Sequence, residues 1–202
     1  MSTLPWQVLL IGGASGVGKT SISYRLAQHY RIGITEVDDF QVILERMTSP
    51  EQYPVLHFWR MHPEEARRMD EDQQLDVMLR YSAVVSDALE LVIANHIESR
   101  TPIVLEGDFI LPALAALPSY AGVAADGLVR ALFVYEQDED QIADNYQRRE
   151  GKRQPKRARG SWRHSEWLRE EAARLGVPVL PARPWDTTFA RALALLGEEY
   201  GS

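Results

Sequence analysis

Gly13, four further residues, and then Gly18-Lys19-Thr20 stand within "IGGASGVGKTSIS", near the start of a 202-residue chain. Glycines at this spacing let backbone N–H groups converge on phosphate oxygens, a lysine adds a mobile cation, and a hydroxyl beside it ligates a divalent metal. Such a loop works only between a strand and a helix, because the helix N-terminus adds favourable partial charge. Both flanks are readable. Val8 to Ile11 is a short apolar run, and Ile22, Leu26 and Tyr30 recur at four-residue spacing beyond Thr20. The spacing therefore predicts a nucleotide cradle of Gly13, Ser15, Gly16, Val17, Gly18, Lys19, Thr20 and Ser21, binding ATP with Mg2+ on Thr20.

The elements that must hold this loop follow the same alternation to the end of the chain. Ile34 to Val37, "TPIVLEGDFILP", Leu128 to Glu136 and "VPVLPA" are predicted as four further strands. Helices are predicted over Asp70 to Ile97, where Leu75, Met78, Tyr81, Val85, Leu89 and Val92 form a stripe, and over Asp138 to Arg149. Two more are predicted in "SWRHSEWLREEAARLG", with Ser161 as N-cap and Gly176 as stop, and from an Asp186 cap to Gly197. Between Gln41 and Pro63, prolines 50, 54 and 63 alternate with Tyr53, Phe58 and Trp59 and no clean period appears. Buried strands alternating with helices imply one α/β domain over residues 1–202, with a five-stranded parallel sheet between helical layers.

Composition narrows the class. Hydrophobic and charged fractions of 45% and 25% are those of a globular protein, and there is no cysteine for disulfides or thiolate metal sites. No apolar run approaches a membrane span, and the N-terminus lacks a signal-peptide pattern, so a cytoplasmic location and no membrane partner are expected. A net charge of -7 disfavours nucleic acid as a partner. The charge is uneven, since eight basic residues lie between Arg148 and Arg163 against only Glu150. His57 and His62 have no second ligand set for zinc, and no Ser-His-Asp arrangement is visible.

No "NKxD" guanine-reading tetrapeptide and no second glycine-rich signature of transporter ATPases occurs. What remains resembles the small P-loop kinases, the group related to nucleoside, shikimate and gluconate kinases. That resemblance implies a three-layer α/β/α P-loop fold. In "EVDDF", ligands at the carboxyl ends of parallel strands would meet Asp38 and Asp39. Asp38 is expected to accept the attacking hydroxyl's proton, and Asp39 to cap a helix or help hold the metal. "IVLEGDF" reads as a strand whose Glu106 holds Mg2+ or its water. The segment 148–163 lies where small kinases carry a mobile lid. Gly151 and Gly160 would hinge it, and Arg149, Arg153 and Arg157 would bring charge to the moving phosphoryl.

Within that group, "IGGASGVGKTSISYRLAQHYRI", "EVDDFQVILERM", "IVLEGDFILP" and "RHSEWLREEAARLGVPVLPA" are similar to stretches of the 2-phosphoglycerate kinase-like family. The resemblance implies Mg2+-dependent transfer from ATP to a small hydroxylated metabolite. It departs where that family has an apolar residue and a His, since this chain has Asp108 and Phe109. A carboxylate beside the acceptor suits a neutral or cationic substrate better than a phosphorylated acid. Arg60, in "QYPVLHFWRMH", and Arg80 are the expected acceptor-binding cations, with Asp38 and Asp108 on the same substrate. A polynucleotide 5′-kinase and a non-catalytic ATP-binding switch are the alternatives, and a homodimer is left open.

Overall fold

The computed structural model describes residues 4–197. Its first strand, β1 (Val8–Gly12), is buried at every residue. The glycine loop leads into α1 (Lys19–Tyr30), then β2 (Gly33–Glu36) and α2 (Val37–Met47). The proline-punctuated region forms two short helices, α3 (Pro54–Met61) and α4 (Pro63–Arg68), each with proline in its first turn, where no N–H is needed. A 29-residue helix, α5 (Glu71–Ser99), is started by a capping box between Asp70 and Gln73 and ended by Arg100 in the left-handed region. β3 (Ile103–Gly107), α6 (Pro112–Ala115) and a small antiparallel ribbon of β4 (Ser119–Tyr120) and β5 (Val123–Ala124) follow. The chain closes with β6 (Val129–Tyr135), α7 (Glu139–Glu150), α8 (Pro155–Arg174), β7 (Val179–Pro181) and α9 (Thr188–Leu195).

The large sheet has the order β2-β3-β1-β6-β7, and every neighbouring pair is parallel. Alternate residues of β1 feed two cores. Leu9 and Ile11 face Ile22 and Leu26 of α1, Ile142 of α7 and Leu193 of α9, whereas Val8 and Leu10 face Tyr81, Val85 and Leu89 of α5. Each such buried aliphatic side chain contributes about 1.5–3 kcal/mol, so the central strand is anchored from both sides. α8 contributes Ala158 to one core and Leu168 to the other. The strand order reverses around β1, and the crevice at the carboxyl ends there is where an open parallel sheet binds its ligands.

Three boundaries differ from the sequence expectation. α8 begins at Pro155, so Ser161 lies inside the helix, where its hydroxyl and that of Tyr146 share a 2.7 Å hydrogen bond. A proline at the first helical position outweighed the serine as a start signal. Val37 opens α2 instead of closing β2, which puts Asp38 and Asp39 in the first turn of a helix. The last helix has Thr187 at its cap position, with the Thr187 N–H donating to Asp186 Oδ1 at 3.0 Å.

Candidate active site

The loop between β1 and α1 depends on glycine at two points. Gly13 has φ +145°, and a Cβ there would lie 2.5 Å from the Val134 carbonyl oxygen. Gly18 caps α1 at φ 99° without any side-chain bond, and the Trp185 indole covers it so closely that a Cβ would meet the ring at 2.6 Å. The first turn of α1 holds no acidic residue, so its positive end faces the loop uncompensated. Lys19 is 5% exposed; its ammonium donates to the Ala14 carbonyl at 3.0 Å and pairs with Asp108. Burial alone would lower its pKa, but Asp108, Glu106 and Asp38 outweigh it and hold the group above its ordinary value. Lys19 is a cation enclosed among carboxylates.

A cleft of about 840 Å³ opens over this loop. Above β2 and β3 its wall is Glu36, Asp38, Glu106 and Asp108. On the side of α7 and α9 it is Arg25, Asn145, Arg148, Arg149, Trp185 and Thr188. The acidic wall is crowded. Glu106 is 5% exposed with Oε2 unpartnered, and burial raises its carboxyl above the ordinary range against the opposing pull of Lys19 and Thr20. Asp38 reaches solvent through the open cleft, yet the surrounding protein atoms, and then the charge of Asp108, raise its carboxyl too. His164 of α8, 4% exposed and with Nε2 unpartnered, feels the charges of Asp108 and Lys19; burial lowers it to about 4, so it is neutral.

The opposite wall is pinned from outside. Asn145 donates from Nδ2 to the Gly16 carbonyl at 2.8 Å, fixing α7 on the loop. Asp138 caps α7 by accepting from the N–H groups of Asp140 and Gln141. Arg183 bridges Glu136 at 2.9 Å and Asp138 at 3.4 Å, which holds the loop carrying Trp185 against the end of β6. Arg25 lies 4.5 Å over the ring of Phe189.

The structure gathers only some of the residues expected from sequence. Ser15, Gly16, Gly18, Lys19, Thr20, Ser21, Asp38, Glu106, Asp108 and Arg149 line the cleft, while Gly13 and Val17 are buried behind it. Asp39 does not line it, because one residue along a helix turns the side chain by about 100°. Arg60 lies with Nη2 2.9 Å from His57 Nδ1, outside the cleft. Arg80 is exposed, paired with Asp76 at 2.8 Å, and borders a separate shallow hollow with Asp70 and Asp72. Neither arginine is an acceptor ligand in this arrangement.

The basic segment is also built differently. Arg153 pairs with Asp140 and with Asp144 at 3.1 Å. Arg157 pairs with Glu150 at 2.9 Å and stacks over Tyr146. Gly151 ends α7 at φ 73°, but Gly160 is inside α8 against Gln74 and cannot hinge. Sequence reading missed Glu36, Arg25, Asn145, Arg148, Trp185 and Thr188. Glu36 ends β2, Trp185 follows β7, and Asn145, Arg148 and Arg149 stand at i, i+3, i+4 on one helix face, which was a usable signal.

A divalent cation fits this donor set. The orphaned, buried Glu106 Oε2 needs a cation or water, and Thr20 stands next to it at the start of α1. Among the described residues no three acidic or histidine side chains form a metal centre by themselves. That suits Mg2+, which takes one or two protein groups and completes its shell with phosphates and water.

Sheet order, glycine loop and flanking helices together define a three-layer α/β/α P-loop fold. A gluconokinase from Sinorhizobium meliloti 1021 shares it at a TM-score of 0.51 and 18% identity, over 96% of this chain and 92% of that one. A shikimate kinase from Bacteroides thetaiotaomicron does so at 0.53 and 11% identity, over 95% and 98%. In sequence, the chain is similar to 2-phosphoglycerate kinase of Methanopyrus kandleri, 33% identical over 116 residues. That match covers 53% of this chain and 34% of the relative, about a third of its length. No protein-family model matches.

Proposed function

We infer that the protein is a phosphotransferase that moves the γ-phosphoryl of ATP to a hydroxyl of a small metabolite. The observation that supports this best is one cleft holding a buried lysine on a glycine loop opposite a carboxylate wall. Backbone N–H groups of the loop and the N-terminus of α1 bind the phosphates, and Lys19 turns from Asp108 to the β- and γ-oxygens. Thr20 and Glu106 would hold Mg2+, which would supply charge neutralisation for the phosphates. Asp38 accepts the acceptor's hydroxyl proton; that oxygen bonds to the γ-phosphorus as the bond to the bridging oxygen breaks and ADP leaves. A raised carboxyl at Asp38 makes it a better base for that proton.

Arg148 and Arg149, in the last turn of α7 and on the cleft lining, would bring positive charge to the phosphates. Trp185 offers a flat face for the base. No described helix is long and apolar enough to cross a membrane. A polynucleotide acceptor is disfavoured because Arg153, Arg157, Arg159 and Arg163 are engaged by Asp140, Glu150, Glu71 and Asp72. ADP release from MgATP, with and without hydroxylated acceptors, tests the reading. Acceptor-stimulated release is expected, and Lys19→Ala should abolish it while circular dichroism stays unchanged. Full activity in that variant refutes the scheme.

A further inference from the structure

We propose that the acceptor is a small alcohol bearing a protonated amine, an amino alcohol or amino sugar, and that Asp108 selects it. The inference rests on the phosphotransferase reading and adds the substrate class. Glu36, Asp38, Glu106 and Asp108 form the whole acidic wall, while Arg25, Arg148 and Arg149 stand on the opposite one. An anionic acceptor would need a cation beside Asp38. The two arginines that sequence offers for this are spent elsewhere, Arg60 against His57 and Arg80 against Asp76.

Lys19 supplies the decisive step. In the structure its ammonium serves Asp108 and the Ala14 carbonyl. Phosphate oxygens on the loop compete for the same ammonium, and once Lys19 turns to them Asp108 has lost its cation. The Asp108 side chain is 20% exposed and lines the cleft, so its replacement partner arrives from the cleft. Next to it, the buried Glu106 Oε2 has no partner either, so the wall holds more negative charge than the described residues satisfy. A cation at Glu106 and Thr20 offsets the triphosphate and leaves Asp38 and Asp108 to the acceptor. Neutral His164 adds no competing positive charge. An ammonium on the acceptor satisfies Asp108 while its hydroxyl meets Asp38; a carboxylate or phosphate there meets two like charges.

Two trios graded in charge test this: serinol, glycerol and glycerate, and glucosamine, glucose and gluconate, with 2-phosphoglycerate added. The readout is kcat/KM for ADP release from wild-type protein and Asp108→Asn. In at least one trio the amine should exceed its carboxylate twin at least tenfold, with the neutral member between them. Asp108→Asn should lower the amine at least tenfold more than the neutral member, and Asp108→Glu should restore part of the difference. Lys19-dependent turnover of a carboxylate or of 2-phosphoglycerate at the amine's rate or faster overturns the inference and leaves the phosphotransferase standing. ATP binding with no acceptor accelerating release overturns both. The wild-type panel decides the matter even where the variant fails to fold.

Discussion

The two walls of the cleft hold opposite charge and are built by opposite means. The cationic wall hangs on helix and loop side chains, with Arg148 and Arg149 in the last turn of α7 and Trp185 on a loop tied by Arg183. The acidic wall is set at the ends of β2 and β3, two paired strands of the sheet, and includes a carboxylate that is almost wholly buried. A nucleotide brings enough charge and ring surface to be held by adaptable groups. A reacting hydroxyl must be placed within a few tenths of an ångström, which only groups on a rigid frame achieve. Lys19, at the start of α1, pairs with Asp108 of the acidic wall, and the direction its ammonium points decides whether that wall keeps its cation.

The largest effect that separates the walls is expected at Asp38. Asp38→Asn should lower kcat by about 10²- to 10⁴-fold, the usual worth of a positioned base. ATP affinity, read by titration calorimetry, should change by no more than about twofold. Loss of ATP binding instead of turnover would show that the walls do not act separately. Arg148→Ala probes the other wall and should raise KM for ATP about tenfold, one charge-assisted contact, with the acceptor KM unchanged. An equal rise in both values would erase the division.

Glu106 sharpens the contrast through stability. Its folded pKa is raised, so the native state holds this proton more tightly than the unfolded chain does. Its contribution is therefore most favourable below the ordinary carboxylate pKa and is lost as pH rises through the raised value. Glu106→Gln should accordingly gain about 1 kcal/mol at pH 7, about 2–4 °C in Tm, while losing phosphoryl transfer. The gain should shrink as pH falls and the wild-type carboxyl takes up its proton. A variant less stable than wild type at pH 7 would mean that the attraction of Lys19 outweighs burial.

What sequence showed of all this follows the range over which each signal acts. The glycine loop, the ends of β1 and α1 and the sheet class were legible, because glycine spacing and apolar runs are local and the physics they serve is fixed. Asp38 and Glu106 could be placed because parallel strands present their carboxyl ends to the ligand. Arg60 and Arg80 could not, since an arginine on a helix points wherever its partner stands, and His57 and Asp76 were near in three dimensions and in the same helices. The arginines of the basic run were overread for a similar reason. Lone charges in sequence turned out to have partners from α5 and α7, which only the packing of α8 reveals.

Those partners give the smallest effect. Arg163 pairs with Asp72 at 2.7 Å and Arg159 with Glu71, joining the first half of α8 to the start of α5. Both pairs are exposed on at least one side, and an exposed pair contributes about 0.2–0.5 kcal/mol after solvent screening and side-chain entropy. Arg163→Ala should shift Tm by about 1 °C at low salt and by less at 1 M salt, where the Debye length is about 3 Å. Turnover should stay within about twofold, because neither Arg163 nor Asp72 lines the cleft. A tenfold loss of turnover with Tm unchanged would reverse this view. It would make the contact between α8 and α5 a working part of the site, coupling the cationic wall to the acceptor side across Gly160 and Gln74.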